Sequence, residues 1–117
     1  MPQITIPQQW RAKVCAILET EATGKLIEWT DDAAKRFEAS YLEAWNYELY
    51  GALRSYLMGG NPTGCQRTMD RPVGETFEFF FTFKDRKAYG KILLRPDGKR
   101  IVIFSAHTPE KEKLSCE

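Results

Sequence analysis

Histidine is nearly absent from this 117-residue chain, with one copy, and cysteine is scarce, with three. That scarcity excludes a zinc centre built from protein ligands alone, which needs three or four such side chains at set spacings. Cys15, Cys65 and Cys116 are odd in number, widely separated and without a CxxC pair. They suit a reducing compartment and a structural role or none. No apolar run approaches the roughly 18 to 20 residues of a membrane span. The first residues also lack a basic segment followed by an apolar core. The expectation is a soluble, cytoplasmic protein with no membrane contact.

Charge of one sign is lacking too. Seventeen basic and 16 acidic groups leave a net charge of +1, so no global attraction to polyanions is expected. The chain has no GxxxxGK[ST] loop, no GxGxxG after a strand, no HExxH and no GxSxG. No cofactor and no metal are therefore expected. What is present is the composition of a folded globule, 43% apolar and 13% aromatic. This length suits one domain spanning residues 1–117.

Residues 1–6 read as a short extended leader. Trp10, Val14, Ile17 and Leu18 then recur at helical spacing, which predicts an amphipathic helix from Pro7 to about Thr20. Lys25 to Trp29 fits either a short strand or an apolar connector. Thr30 followed by Asp31 and Asp32 is a strong helix start, a hydroxyl cap followed by carboxylates at the positive end of the dipole. Helical spacing continues to Met58, with Gly51 as a point where the helix can break, before Gly59-Gly60-Asn61-Pro62 stops it. Thr63 to Gly74, with Arg67, Asp70 and Arg71, reads as a long loop.

The densest pattern lies between residues 75 and 107. Phe77, Phe79, Phe81 and Phe83 alternate with Glu78, Phe80, Thr82 and Lys84, as on a strand with one apolar face. A turn at Asp85-Arg86 pairs Thr82 with Tyr89, Phe80 with Lys91 and Glu78 with Leu93. A second turn at Pro96-Asp97-Gly98 pairs Leu93 with Ile101, Lys91 with Ile103, Tyr89 with Ser105 and Lys87 with His107. In this register the core face carries the alternate Phe residues, Ile92, Leu94, Val102 and Phe104. The second face mixes Glu78, Thr82, Lys84, Tyr89, Lys91, Ser105 and His107 with Phe80, Leu93, Ile101 and Ile103. Residues 108–117 read as a charged, mobile tail. The predicted fold is α+β, with two or three N-terminal helices packed on one face of a C-terminal antiparallel meander of at least three strands. Residues 7–58 are mainly helical in this reading, and 75–107 form the sheet.

Charge is unevenly spread, with six basic and eight acidic groups in residues 1–60 against eleven and eight in residues 61–117. Lys84, Arg86, Lys87, Lys91, Arg95, Lys99 and Arg100 crowd the sheet and its turns, a patch suited to phosphates. The same residues also suit protection of strand edges. A carboxylate, a histidine and cations on one face are the ingredients of RNA cleavage by acid–base chemistry. Glu78, Lys91 and His107 are the candidate catalytic residues, with Lys84, Lys87, Tyr89, Arg95 and Ser105 as substrate-binding candidates. The structural alternatives are a Glu78–Lys91 surface pair and a second small core around Phe80, Tyr89 and the isoleucines.

Helices followed by an antiparallel sheet, with an Ile-Val-Ile-Phe strand running into Ser-Ala-His, resembles the small barnase-like and RelE-like ribonuclease toxins over Glu75 to His107. The resemblance implies that Glu78 is the general base, Lys91 and Arg95 the phosphate-binding cations, and His107 the general acid. The chain departs from the family in being nearly neutral and in showing only three strands from pattern alone. Two functions follow. The first is a non-catalytic protein-interaction module of immunity, adaptor or regulatory type, using the mixed basic face. The second is a metal-independent endoribonuclease toxin. A protein partner is expected on the first reading and RNA on the second, and the oligomeric state is left open.

Overall fold

The alternating run Thr76–Phe83 forms the centre of a six-stranded sheet in a computed structural model that describes residues 2–69 and 71–117. The strands are β1 (Ile4–Thr5), β2 (Ile27–Trp29), β3 (Thr63–Met69), β4 (Gly74–Phe83), β5 (Arg86–Leu94) and β6 (Ile101–His107). Their order across the sheet is β1-β3-β4-β5-β6-β2. Every neighbouring pair is antiparallel except β2 beside β6, which is parallel. The sheet is therefore mixed, correcting the expected purely antiparallel meander. The helices are likewise not one N-terminal block, because β1 and β2 are interleaved with them. Among the described residues no helix is long and apolar enough to cross a membrane.

Three helices cover the Phe-rich face: α1 (Gln8–Thr20), α2 (Asp31–Ser40) and α3 (Asn46–Leu57). The Thr30 hydroxyl accepts the Ala33 amide at 3.0 Å and caps α2, with Asp31 and Asp32 in its first turn. The expected long helix breaks at residues 41–45, and Gly51 lies inside α3. Size gives a reason. One straight helix over residues 30–58 would run about 43 Å at 1.5 Å per residue, whereas the longest extent of the molecule is 32 Å. Breaking it lets Tyr41 turn inward, where its ring packs 4.8 Å from Phe83.

Phe77, Phe79, Phe81 and Phe83 all enter the core, as the alternation predicts. Trp10 meets Phe77 edge-on at 5.1 Å and Phe37 lies 6.0 Å from Phe83. Trp45 does not join them, being 66% exposed at the start of α3. The expected loop at Thr63–Gly74 is instead largely strand β3, paired with β4. Asp70 of that expected loop lies outside the described residues, as does Met1 of the leader. The ambiguous segment at 25–29 contributes β2.

Both turn registers differ from expectation, and the two differences have opposite consequences. The first hairpin turns at Lys84-Asp85, both at positive φ, so Phe83 pairs with Arg86 and Glu78 with Lys91. That is a slip of two positions, which leaves every side chain on its expected face. In the second hairpin Leu94 pairs with Ile101 and Ile92 with Ile103, while a bulge shifts Lys91 onto Ser105 and Tyr89 onto His107. Ile101 and Ile103 consequently point into the core and Val102 pairs with Leu93 on the other face, reversing the expected assignment. The extra residue, Phe104, restores Ser105 and His107 to the mixed face.

Candidate functional site

Cross-strand pairing arranges the mixed face in rows. Cys65, Glu78, Lys91 and Ser105 form one row across β3, β4, β5 and β6, and Phe80, Tyr89 and His107 form the next. The final residues of the sequence lie over these rows. Cys116 is disulfide-bonded to Cys65, with Cα atoms 5.7 Å apart, and Leu114 is buried at 3% exposure. The segment expected as a charged mobile tail thus has a covalent anchor and an apolar plug. Cys15 is a free thiol on the buried side of α1.

Between the sheet and this covering segment lies a cleft of about 730 Å³. Glu78, Phe80, Tyr89, Ser105 and His107 form its floor, and Arg36, Arg67 and residues of the 109–117 segment form its walls. Of the expected site residues, Glu78, Tyr89, Ser105 and His107 are brought together here. Lys91 sits in the same row as Glu78 and Ser105, with its ammonium 5.6 Å above the Phe104 ring. Burial and the nearby Arg67 charge lower the Lys91 pKa, against an opposing pull from Glu78.

The other expected substrate residues are elsewhere. Lys84 pairs with Glu48 of α3, and Arg95 makes a two-pronged pair with Glu28 on β2 at 2.8 and 3.0 Å. Lys87 holds its ammonium 3.9 Å above Phe80 beside the cleft, and its ladder partner is Thr82, not His107.

Glu78 is 1% exposed and fully engaged. One carboxylate oxygen accepts the Ser115 amide at 2.7 Å and the Ser115 hydroxyl. The other accepts the Tyr89 hydroxyl, with the Arg67 guanidinium 3.6 Å away. Burial alone would raise its pKa, but the bonds from Ser115 and Tyr89 and the Arg67 charge outweigh it and hold the carboxyl below its ordinary range. Burial and the same bond to Glu78 push the Tyr89 phenol well up, so it stays protonated and donates.

His107 is 6% exposed and makes one side-chain hydrogen bond among the described residues, Nδ1 to the Thr108 carbonyl at 2.7 Å. A carbonyl only accepts, so Nδ1 carries the proton, and in the neutral ring Nε2 is left as the basic nitrogen. Nε2 makes no hydrogen bond among the described residues. The Tyr89 ring packs 5.4 Å from the imidazole and limits its rotation.

Sequence reasoning missed Arg36, Ser115 and the Cys65–Cys116 pair, and took Arg67 for a loop residue. The Arg67 position follows from β3, whose alternation puts Cys65 and Arg67 on the face of Glu78. No spacing among three cysteines could have selected the bonded pair. Among the described residues no group of three His, Cys, Asp or Glu is placed to hold a metal ion. Compared with family models, curated proteins and solved structures, the chain matches none.

Proposed function

We propose that this chain is a metal-independent endoribonuclease whose chemistry is centred on His107 and Glu78. The observation that carries the reading is the convergence of Glu78, Tyr89, Ser105 and His107 with Arg36 and Arg67 on one cleft. Cleavage of this type needs a base for the ribose 2′-hydroxyl, an acid for the leaving 5′-oxygen and cations for the charge that grows on the phosphorus oxygens. Glu78 is the base in this reading. His107, its Nδ1–H held by Thr108, serves as the acid in its doubly protonated form, passing the Nε2 proton to the leaving oxygen, and Arg67 and Lys91 are cations beside Glu78. Phe80 and Tyr89 offer ring faces for bases to stack on.

A second reading, a non-catalytic interaction module, is favoured by a different observation. Leu42, Trp45 and Tyr47 are 79%, 66% and 58% exposed around the connection between α2 and α3. The mixed sheet face, by contrast, lies beneath residues 110–117, so a protein partner would meet that cover first.

The deciding experiment incubates purified protein with varied single-stranded RNA, under oxidising and under reducing conditions. Cleavage that falls by about 10² to 10⁴ in His107→Ala, with the fold retained by circular dichroism, supports the nuclease. Intact RNA in every condition sinks it and leaves the interaction module.

A further inference from the structure

We propose that residues 114–116 are a disulfide-held latch that occupies the base of the site and is released by a dithiol reductant. The inference rests on the nuclease reading for its consequence, but its geometry stands independently. Cys65 is the direct ladder partner of Glu78, and Cys116 is bonded to Cys65. The residue before Cys116 is therefore delivered onto the Glu78 carboxylate, where Ser115 donates both its amide and its hydroxyl. A serine hydroxyl donating to a carboxylate is what a ribose 2′-hydroxyl would do on approaching a general base. The latch thus takes the position that the substrate needs, and Leu114 anchors it one residue earlier.

Further contacts draw the segment across the cleft. Arg36 of α2 pairs with Glu110, and Ser40 meets Thr108 through its hydroxyl. These are exposed or half-buried polar contacts, individually weak in water. The covalent bond is the one that persists until it is reduced.

Cys65 is 1% exposed and Cys116 is half-buried, so attack comes at the Cys116 sulfur. One thiolate of the dithiol bonds to that sulfur, and Cys65 leaves as a thiolate and takes up a proton. The second thiol of the reductant, losing its proton, then displaces Cys116, which is protonated in turn. The reductant ends as its own disulfide, and Cys65 and Cys116 have gained two electrons and two protons. Glu78 then loses its tethered donor and faces the cleft.

The test compares oxidised protein, protein reduced with dithiothreitol, and Cys116→Ser, each confirmed folded by near-ultraviolet circular dichroism. Ser115→Gly is a companion that keeps the disulfide but removes the hydroxyl on Glu78. Amide exchange over residues 110–117 reports the latch, and cleavage of single-stranded RNA reports the site. Expected are fast exchange at Ser115 on reduction and in Cys116→Ser, with cleavage rising about a hundredfold, the low end of what a general base contributes. Ser115→Gly should show a smaller gain without reduction. Slow exchange at Ser115 after reduction, or measurable cleavage that is equal in oxidised and reduced protein, overturns the latch, and measurable cleavage in either case leaves the nuclease standing. Fast exchange with no cleavage by any form upholds the latch as a redox-held cover and removes the nuclease reading.

Discussion

Glu78 stands directly across the β3–β4 ladder from Cys65, so the disulfide to Cys116 and the hydrogen bonds from Ser115 converge on one cross-strand pair. A carboxylate with 1% exposure survives there because each oxygen has a partner. Buried polar groups are tolerable only on that condition. The same bonds link the site to the stability of the fold and to pH.

The Glu78 pKa lies below its unfolded value, so its stabilising contribution is present above the unfolded carboxyl pKa of about 4.3 and is lost as pH falls through the lower, folded value. Glu48 and Glu117 are shifted in the same direction and blur a single acid titration. The comparison with Glu78→Gln isolates the Glu78 part. The variant should be less stable at pH 7, and the gap to wild type should narrow as pH is lowered below about 4. Urea midpoints between pH 7 and 3 measure it. A gap that stays constant would mean that the Glu78 charge does not matter to folding.

Phe79 is fully buried between Tyr56, stacked at 5.3 Å, and Phe81, edge-on at 5.9 Å, with Gly90 opposite it in the ladder. A Cβ at Gly90 would come within 3.1 Å of both Phe rings, so the ladder has left that space to them. Phe79→Ala should cost about 3 to 5 kcal/mol of a total that is about 5 to 15 kcal/mol for a domain. A chemical melt under non-oxidising and oxidising conditions should show the loss in both. An unchanged midpoint would contradict this packing.

The Phe-bearing strand was legible because strict alternation over Phe77–Phe83 specifies a face, and a slip of two positions in its hairpin left that face intact. The return strand was not, because the bulge at Phe104 has no compositional mark: Ile-Val-Ile-Phe-Ser reads as unbroken alternation. Strand β3 was hidden for another reason. It is short of apolar residues, being flanked only by the two-residue β1 on its outer side, and carries Thr, Gln and Arg suited to solvent. The cover over the site depends on contacts far apart in sequence, with Cys65 and Cys116 separated by 51 in sequence number. Local pattern holds no record of such a contact. Glu78 and His107 were placed on one face because they sit on the best-patterned strands, and Arg95 was misplaced because its partner Glu28 comes from an element only five residues long at most in the sequence reading.

Arg95 and Arg67 exchange importance as a result. If RNA binds the cleft, each lost phosphate contact should flatten the slope of log affinity against log salt by about 0.7 for a single strand. Arg67→Gln and Lys91→Gln should each show this change. Arg95→Gln should leave the slope as it is, because its guanidinium is committed to Glu28. Filter retention of labelled RNA across a salt series gives the slopes. A flattening with Arg95→Gln but not with Arg67→Gln would move the binding surface to the other end of the sheet.

The bulge at Phe104 should be required for the fold to keep its histidine on the cleft side. Strand residues alternate faces, so removing one residue between Ile103 and Ser105 turns every later side chain over. Ser105 and His107 would then point at the Phe-rich core, and Ala106 would leave it. Burying the imidazole and hydroxyl among phenylalanines without partners costs about 1 to 3 kcal/mol each on mutational scales. Deleting Phe104 should therefore unfold the domain or fray β6 from Ser105 onward, releasing the contact between Ser40 and Thr108. Phe104→Ala keeps the residue count and should fold, losing the ring beneath Lys91 and little else. Amide exchange along β6 separates the cases. Equal protection of Ala106 and His107 in the deletion and the substitution would show that the bulge does not set the face on which His107 stands.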